Sequence, residues 1–419
     1  MRDRFEILAP AGCFERLQTA IAFGADAVYM GGTSLGLRAK AKNFEMEQMA
    51  KAIDYAHERG VKVYITANVF AHNEDFAQME AYFKELYAMG ADALIISDPG
   101  VFSIARACVP DMEIHISTQA NNTNYATALF WASLGASRIV LARELSFEEI
   151  KEIHEKAGDK IEIEAFVHGS MCIAYSGRCL LSAVLTDRGA NRGACTNACR
   201  FKYHLVEEKR LNQPMEIYDD EDGKGSFILN SKDMCMIKHI PQIVESGIMS
   251  FKIEGRMKTP HYVATATKTY KEALEDYLAD PALYESKKDH YFNELTKASN
   301  REFSTGFFLG KPDQSGQTYK GEGYAKTHDF VGVVKGYDKI SQIATIEQRN
   351  KFSTGDTIEL LLGGGRANFT QVVDEMHNED GEKIESAPHA QQIIKLKVDA
   401  PVAEFDILRK KLESPIGNV

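Results

Sequence analysis

Residues 24–29 read GADAVY and residues 90–95 read GADALI, so one short pattern occurs twice. In both stretches a glycine that can end a helix precedes Ala-Asp-Ala, and the apolar residues of a strand follow. The same alternation of helix and strand extends over about two-thirds of the chain. The candidate strands are Phe5–Ala9, Ala27–Met30, Val61–Asn68, Ala93–Ser97, Glu113–Ser117, Arg138–Ala142, Ile161–Val167 and Ser250–Glu254.

This alternation predicts an α/β fold with a parallel sheet and right-handed crossovers. Eight strands favour a closed, TIM-like (β/α)8 barrel over the alternative, an open doubly wound sheet. The barrel domain is predicted to occupy residues 1–285. About eighty residues separate the seventh strand from the eighth, which is too long for a plain loop. An insertion is therefore predicted at about 168–249, and the loop after a barrel strand lies on the catalytic face.

The sequence changes character at its two later parts. The segment 281–325 is polar and irregular, and residues 286–325 are predicted to be a linker that packs on the barrel. From 326 to 419, short strands separated by Gly or Asp turns predict a small all-β barrel domain. Within the insertion, residues 202–207 and 226–230 are predicted to pair as a hairpin.

Composition restricts the classes of protein to which the chain can belong. Of its 419 residues, 44% are hydrophobic and 26% are charged, which is typical of a soluble globular protein. The N-terminus does not resemble a signal peptide, and no apolar stretch is long enough to cross a bilayer, so we expect a cytoplasmic protein. A net charge of −11 excludes a nucleic-acid binder that relies on a broad basic surface. Any nucleic-acid partner must be met by a local basic patch.

Five of the seven cysteines lie in or near the insertion, with the spacing Cys-x6-Cys-x15-Cys-x3-Cys-x35-Cys: Cys172, Cys179, Cys195, Cys199 and Cys235. Thiolates are soft ligands that suit an iron–sulfur cluster or zinc. Four would be enough for a cubane cluster, which leaves one to spare. Zinc ligands usually come in close pairs, and only Cys195 and Cys199 have that spacing. Ordinary buried cysteines are the remaining alternative.

Basic and polar residues near the cysteines and at strand ends are the other candidates, because barrel enzymes place catalytic groups there. Clustered basic side chains would suit a substrate rich in phosphate or carboxylate, or would merely offset neighbouring negative charge. The candidate catalytic residues are His168, Glu164, Lys252 and Glu254, and the candidate substrate-binding residues are Arg178, Arg192, Arg200, Arg256, His115 and Gln119.

Two patterns in the sequence bear on hydrolase chemistry. Residues 32–36 read GTSLG and match the nucleophile-elbow pattern around Ser34, but no apolar helical face follows, so the match is not favoured. Cys172 lies close in sequence to His168, and this leaves open a thiol protease with a Cys–His pair.

Longer motifs resemble a known family. Residues 164–172 (EAFVHGSMC), 176–182 (SGRCLLS), 230–235 (NSKDMC) and 251–258 (FKIEGRMK) are similar to the signature of the collagenase-like peptidases, peptidase family U32. The resemblance covers almost the whole chain, including a C-terminal β-barrel domain of the family's type. The name implies a protease, whereas better-understood branches are oxygen-independent hydroxylation factors that carry a cubane [4Fe-4S] cluster.

The chain looks most like the tRNA-hydroxylation branch of this family. That resemblance implies formation of 5-hydroxyuridine at the tRNA wobble position, with prephenate as hydroxyl source and with tRNA and a protein of the same family as partners. Carried over to this sequence, the cluster ligands are Cys172, Cys179, Cys235 and one of Cys195 and Cys199, of which Cys195 is preferred. A peptidase and a zinc-binding scaffold are the alternative functions.

Overall fold

The computed structural model describes residues 4–33, 35–36, 43–175, 178–201, 203, 230–312, 316–318 and 324–416. Ser34 lies outside these described residues, as does nearly all of the hairpin predicted at 202–207 and 226–230. None of the described helices is both long and apolar enough to span a membrane.

The first part of the chain forms a closed barrel of eight parallel strands. Strand β9 pairs with both β7 and β1, since Ser250 lies opposite Glu164 on one side and Glu6 on the other. The predicted TIM-like barrel is therefore confirmed. Its strands are β1 (Glu6–Pro10), β2 (Ala27–Met30), β3 (Lys62–Ala67), β4 (Ala93–Ile96), β5 (Glu113–Ile116), β6 (Arg138–Val140), β7 (Glu162–Ser170) and β9 (Ser250–Ile253), with the short strand β8 (Asp233–Cys235) antiparallel to β7.

The repeated Gly-Ala-Asp-Ala pattern has one structural role at both positions. Gly24 and Gly90 have φ values of +94° and +86°, which favour glycine at the end of a helix. The Asp26 carboxylate accepts a hydrogen bond from the Ile7 amide at 2.8 Å, and the Asp92 carboxylate accepts one from the Val63 amide at 2.7 Å. Each aspartate therefore ties the start of its own strand to the preceding strand of the barrel.

Helices cover the outside of the barrel, and their apolar faces form a single core with the outward side chains of the strands. The helices are α1 (Phe14–Ala22), α2 (Met46–His57), α3 (Met79–Ala88), α4 (Pro99–Cys108), α5 (Tyr125–Ser133), α6 (Phe147–Ala157), α7 (Leu181–Thr186) in the insertion, α8 (Ile240–Glu245), α9 (Pro260–Ala279) and α10 (Pro281–Thr296).

Helix α10 corrects the prediction that the segment from 281 is irregular. Asp280 caps this helix by accepting a hydrogen bond from the Ala282 amide at 2.9 Å, and Pro281 occupies its first turn. Tyr284, Tyr291 and Leu295 are buried against the barrel domain. These few apolar residues are spread among charged ones, which is why the segment looks like a linker in the sequence.

The C-terminal part is an antiparallel β domain, as predicted. An eight-stranded sheet has the order β15-β14-β20-β11-β12-β19-β16-β17, and β13 pairs with β18. Its strands are β11 (Lys326–Asp338), β12 (Ile343–Gln348), β13 (Phe352–Ser353), β14 (Thr357–Leu361), β15 (Phe369–Val372), β16 (Met376–Asn378), β17 (Lys383–Ile384), β18 (Ser386–Ala387), β19 (Ile393–Lys397) and β20 (Ile407–Ile416); the two-residue strand β10 (Phe303–Ser304) pairs with β8.

Candidate active site at the barrel mouth

A cavity opens at the carboxyl ends of the barrel strands. Its wall carries three cationic side chains, from Arg143, Lys252 and Arg256, and one carboxylate, from Glu254. The rings of Tyr29 and Phe166 and neutral polar side chains complete it, among them Thr66, Asn68, Ser117 and Gln119. Barrel enzymes bind their substrates at this end, so the cavity is the candidate active site.

Lys252 is held at the inner end of the cavity by an ion pair with Glu164. Its Nζ lies 2.5 Å from Glu164 Oε1 and 4.6 Å from the centre of the Tyr29 ring. Glu164 is fully buried below the cavity wall and also lies 3.4 Å from Arg138 Nη1. Burial alone would raise the pKa of Glu164, but Lys252 and Arg138 outweigh it and lower that pKa below its ordinary value. Glu164 is therefore a permanent carboxylate that fixes the ammonium of Lys252.

The two arginines of the wall are positioned by neutral oxygen atoms. Arg256 donates from Nη2 to Asn43 Oδ1 at 2.7 Å and from Nη1 to Thr66 Oγ1 at 3.3 Å. Arg143 donates from Nη1 to the Ser170 carbonyl at 2.9 Å, and its guanidinium lies 5.0 Å from the centre of the Phe166 ring. These contacts orient both guanidinium groups at the wall of the cavity.

Gln119 lies in a tight turn directly after β5. Ser117 caps this turn by accepting a hydrogen bond from the Gln119 amide at 3.3 Å. The Gln119 side chain is 8% exposed, and its Oε1 has no hydrogen-bond partner among the described residues. Buried polar atoms are normally paired, so this atom is available to accept a hydrogen bond from a molecule bound in the cavity.

The cysteine-bearing insertion rests on the mouth of the barrel. Arg178 donates from Nε and Nη2 to the Gln119 carbonyl, at 3.1 and 3.0 Å. Asn191 accepts from the Cys179 amide through its side chain at 3.0 Å and from the Phe70 amide through its carbonyl at 3.2 Å. These contacts place Cys179 directly beside the loops that form the cavity.

Cys199 lies within electrostatic reach of three other thiols of the insertion. The pKa of Cys199 is raised chiefly by burial, and the thiols of Cys172, Cys195 and Cys179 raise it further. Among the described residues, no three Cys, His, Asp or Glu side chains are arranged so that they could hold one metal ion. Cysteine thiolates are suitable ligands for a soft metal or a cluster. To bind one together, these thiols would have to move closer to one another.

Cys235 differs from the other four thiols in its surroundings. It is buried, and its Sγ lies 4.0 Å from the hydroxyl of Tyr270 on α9. Burial raises the pKa of Cys235 to about 12, so this thiol is protonated at neutral pH.

His168 and His115 do not line the cavity, contrary to the roles predicted for them. A register shift between Phe166 and His168 turns the His168 ring outward, against Tyr262, Tyr270 and Phe303. Burial lowers the pKa of His168 to about 3. His115 lies inside the barrel below the cavity, 3.5 Å from Glu113, and burial lowers its pKa as well.

The remaining predicted arginines are engaged within the insertion and its neighbours. Arg192 pairs with both carboxylate oxygens of Asp75, at 2.7 and 3.1 Å, and the Arg192 hydrogen bonds lower the pKa of Asp75 to about 2. Arg200 donates to the Met171 carbonyl at 3.0 Å. They organise the insertion, and the cavity wall instead uses Arg143, which was not among the predicted site residues. Arg143 directly follows the sixth predicted strand and is one of the polar residues that the sequence places at strand ends.

Comparison with known proteins gives the relationship of the whole chain. Residues 12–318 match peptidase family U32, and residues 326–409 match the C-terminal domain of that family. The chain belongs to peptidase family U32. The predicted family is therefore confirmed, and the U32 match extends over both domains.

Three relatives illustrate the range of names within the U32 family. The tRNA hydroxylation protein P1 of Bacillus subtilis is 42% identical over 405 residues, which are 97% of this chain and 94% of that protein. The tRNA hydroxylation protein P of Escherichia coli is 36% identical over 91% of each chain. A protein of Porphyromonas gingivalis named collagenase is 34% identical over 93% of this chain and 94% of its own length.

Proposed function

We propose that this chain is an RNA-modifying enzyme that hydroxylates tRNA. The observation that carries the proposal is similarity over nearly the full length to proteins named tRNA hydroxylation protein. The finer reaction proposed is formation of 5-hydroxyuridine at the wobble position, without molecular oxygen and with prephenate as the source of the hydroxyl group.

A cubane [4Fe-4S] cluster held by the cysteines is part of the proposal. The ligands predicted from the resemblance are Cys172, Cys179, Cys195 and Cys235. Because Cys199 lies within electrostatic reach of the first three thiols, we take Cys199 rather than Cys235 as the fourth ligand. The chemistry that such a cluster supplies is iron able to bind or polarise a substrate oxygen. Zinc is the alternative metal. Iron and acid-labile sulfide in anaerobically purified protein would support the cluster, and stoichiometric zinc without iron would overturn it.

The chain's own residues supply binding and shielding in this proposal. A uridine flipped out of the anticodon loop would enter the barrel mouth, where Tyr29 and Phe166 offer ring surfaces. The insertion covers the mouth through Arg178 and Asn191 and limits the access of water to the reacting atoms. The cationic wall tolerates negative charge brought in by the substrates.

The proposal is tested by mass spectrometry of tRNA nucleosides from a strain that lacks this gene and any parallel hydroxylation pathway. We expect 5-hydroxyuridine and its derivatives to disappear, to return with the wild-type gene, and to stay absent with Cys179→Ala. A matched control is Cys108→Ala, which removes a thiol at the end of α4, outside the cluster. Unchanged hydroxylation in the deletion strain would overturn the proposal.

A peptidase is the second candidate, favoured by the family's name and by the relative named collagenase. The Cys172–His168 pair expected for a thiol protease is not supported, because His168 is packed among three aromatic rings and its pKa of about 3 makes it a poor base. Cleavage of a denatured-collagen peptide by pure protein, abolished by Cys172→Ala, would favour this candidate.

A further inference from the structure

We propose that Tyr324 and Lys258 form a contact surface for the single-stranded loop of an RNA, at the rim of the barrel mouth. The inference rests on the proposed function and deepens it, because it names the residues that bind a nucleotide next to the flipped uridine. The Tyr324 ring stacks on a base, and the Lys258 ammonium binds the adjacent phosphate.

The segment after β9 places Lys258 at the rim of the mouth. Glu254 and Arg256 of this segment line the cavity, and Lys258 follows Arg256 by two residues. The Lys258 amide donates to the Gly255 carbonyl at 2.8 Å, so the backbone turns here. Met257 is 48% exposed. An RNA loop that places one of its bases in the cavity therefore has this segment within reach.

Tyr324 lies just before β11 and is held in place beside Lys258. Its neighbour Ala325 exchanges two backbone hydrogen bonds with Asn300, at 2.7 and 3.2 Å. The guanidinium of the buried Arg301 lies 4.2 Å from the centre of the Tyr324 ring and supports it. Tyr324 is nevertheless 40% exposed. The ring is therefore fixed in position while much of its surface is open to solvent, as a stacking platform requires.

Lys258 supplies the positive charge of this surface. Its Nζ lies 3.4 Å from the Tyr324 hydroxyl, and 4.7 and 5.0 Å from the centres of the Tyr324 and Tyr262 rings. Among the described residues, no carboxylate forms an ion pair with this ammonium. On a chain whose net charge is −11, such a cation provides the local attraction that an RNA phosphate needs.

A nucleotide fits this surface better than a protein does. An aromatic ring stacks on any unpaired base, and a lysine beside it binds the backbone phosphate, which is a common combination in proteins that hold single-stranded RNA. The unpaired bases of an anticodon loop offer both groups at adjacent positions. A stable protein interface needs a larger area than Tyr324 and Met257 provide. A protein partner is therefore the competing occupant, and the experiment decides between the two.

The experiment measures how tightly the anaerobically purified full-length protein binds a fluorescent RNA hairpin with the sequence of the anticodon stem and loop. Tyr324→Ala is expected to weaken binding about tenfold, because base–aromatic stacking is lost. Tyr324→Phe keeps the ring and is expected to bind within about threefold of the wild type. Affinity for a fully paired RNA duplex of the same length is expected to be unchanged by Tyr324→Ala, because paired bases do not stack on the ring.

The salt dependence of binding tests Lys258 separately. Lys258→Gln is expected to lower the slope of log affinity against log salt concentration by about 0.7, the value for one phosphate contact on a single strand. The matched controls lie at the opposite end of the barrel: Tyr87, near the end of α3, is 47% exposed, and Lys160 lies just before β7. Tyr87→Ala and Lys160→Gln are expected to change neither the affinity nor the slope.

Thermal unfolding identifies the folded variants. Wild-type affinity and slope in folded Tyr324→Ala and Lys258→Gln, or no binding of the hairpin by the wild type, would overturn the inference and leave a protein as the occupant of this surface. Equal losses for hairpin and duplex would also overturn it, because stacking on unpaired bases would not be the cause. Loss of 5-hydroxyuridine in the deletion strain tests the proposed function independently, so the surface can be wrong while that function stands.

Discussion

Glu164 shows how a single buried residue can support a site without touching its contents. It is fully buried and shared between Lys252 and Arg138. Lys252 is part of the cavity wall, whereas Glu164 lies behind it. Its role in the structure is to hold a cationic side chain in a fixed position within a low-dielectric interior.

We therefore predict that Glu164→Gln lowers the free energy of unfolding by about 3–5 kcal/mol, because the buried Lys252 loses its carboxylate and Arg138 loses one of its three. Urea denaturation measures this change. The control Glu152→Gln removes an exposed pair with Lys156 and should cost about 0.5 kcal/mol or less. A Glu164→Gln protein that is as stable as the wild type but inactive would instead identify Glu164 as a chemical participant.

Individual site residues could be predicted from the sequence only in part. Lys252, Glu254, Arg256 and Gln119 were predicted from their positions at strand ends, and all four line the cavity. His168 was misplaced because strict alternation along β7 would turn its side chain into the barrel. The register shift after Phe166 reverses that direction, and such a bulge leaves no clear signal in a single sequence.

At the scale of elements, the loop from β1 to α1 packs closely against the segment after β9. At Gly12 this contact leaves no room for a side chain. A Cβ atom added at Gly12 would lie 1.8 Å from the Arg256 carbonyl oxygen. That carbonyl also accepts a hydrogen bond from Arg16 Nη1 at 3.0 Å. The contact fixes the backbone that carries Arg256 into the cavity.

We predict that Gly12→Ala destabilises the protein by about 1–3 kcal/mol, since the backbone of one segment must shift. The matched control is Gly336→Ala in β11, where an added Cβ meets nothing within 4 Å. Urea unfolding of both variants compares them directly. Equal stability of Gly12→Ala and the wild type would contradict the close approach.

Elements differed in how well the sequence predicted them. All eight barrel strands were predicted near their observed positions, because buried parallel strands are short apolar runs between helices. Helix α10 was missed because its few apolar positions do not form a continuous stripe in the sequence.

At the scale of the whole molecule, the C-terminal domain is joined to the barrel domain by buried charges. Arg409 of β20 is fully buried and donates to Glu294 of α10 at 2.6 Å and to Glu359 of β14 at 2.8 and 2.9 Å. Lys268 of α9 donates to the Leu362 and Arg366 carbonyls, both at 2.7 Å. The two domains are therefore expected to unfold as one unit.

We predict that Arg409→Met lowers the free energy of unfolding by about 3–5 kcal/mol, because two carboxylates stay buried without it. Differential scanning calorimetry should then show the C-terminal domain melting before the barrel. The neighbouring Lys410→Met removes a more exposed pair with Asp356 and should cost about 1 kcal/mol or less. One transition at the wild-type temperature for Arg409→Met would contradict the coupling.

The central claim for the whole molecule is tRNA hydroxylation, and a defined reaction outside the cell tests it most directly. Protein purified without oxygen is incubated with tRNA from the deletion strain, with or without prephenate, and 5-hydroxyuridine is measured by mass spectrometry. We predict that 5-hydroxyuridine forms at the wobble position only when protein, tRNA and prephenate are all present, and that Cys179→Ala abolishes it. Absence of 5-hydroxyuridine with iron–sulfur-loaded protein and any partner protein required in cells would contradict the claim.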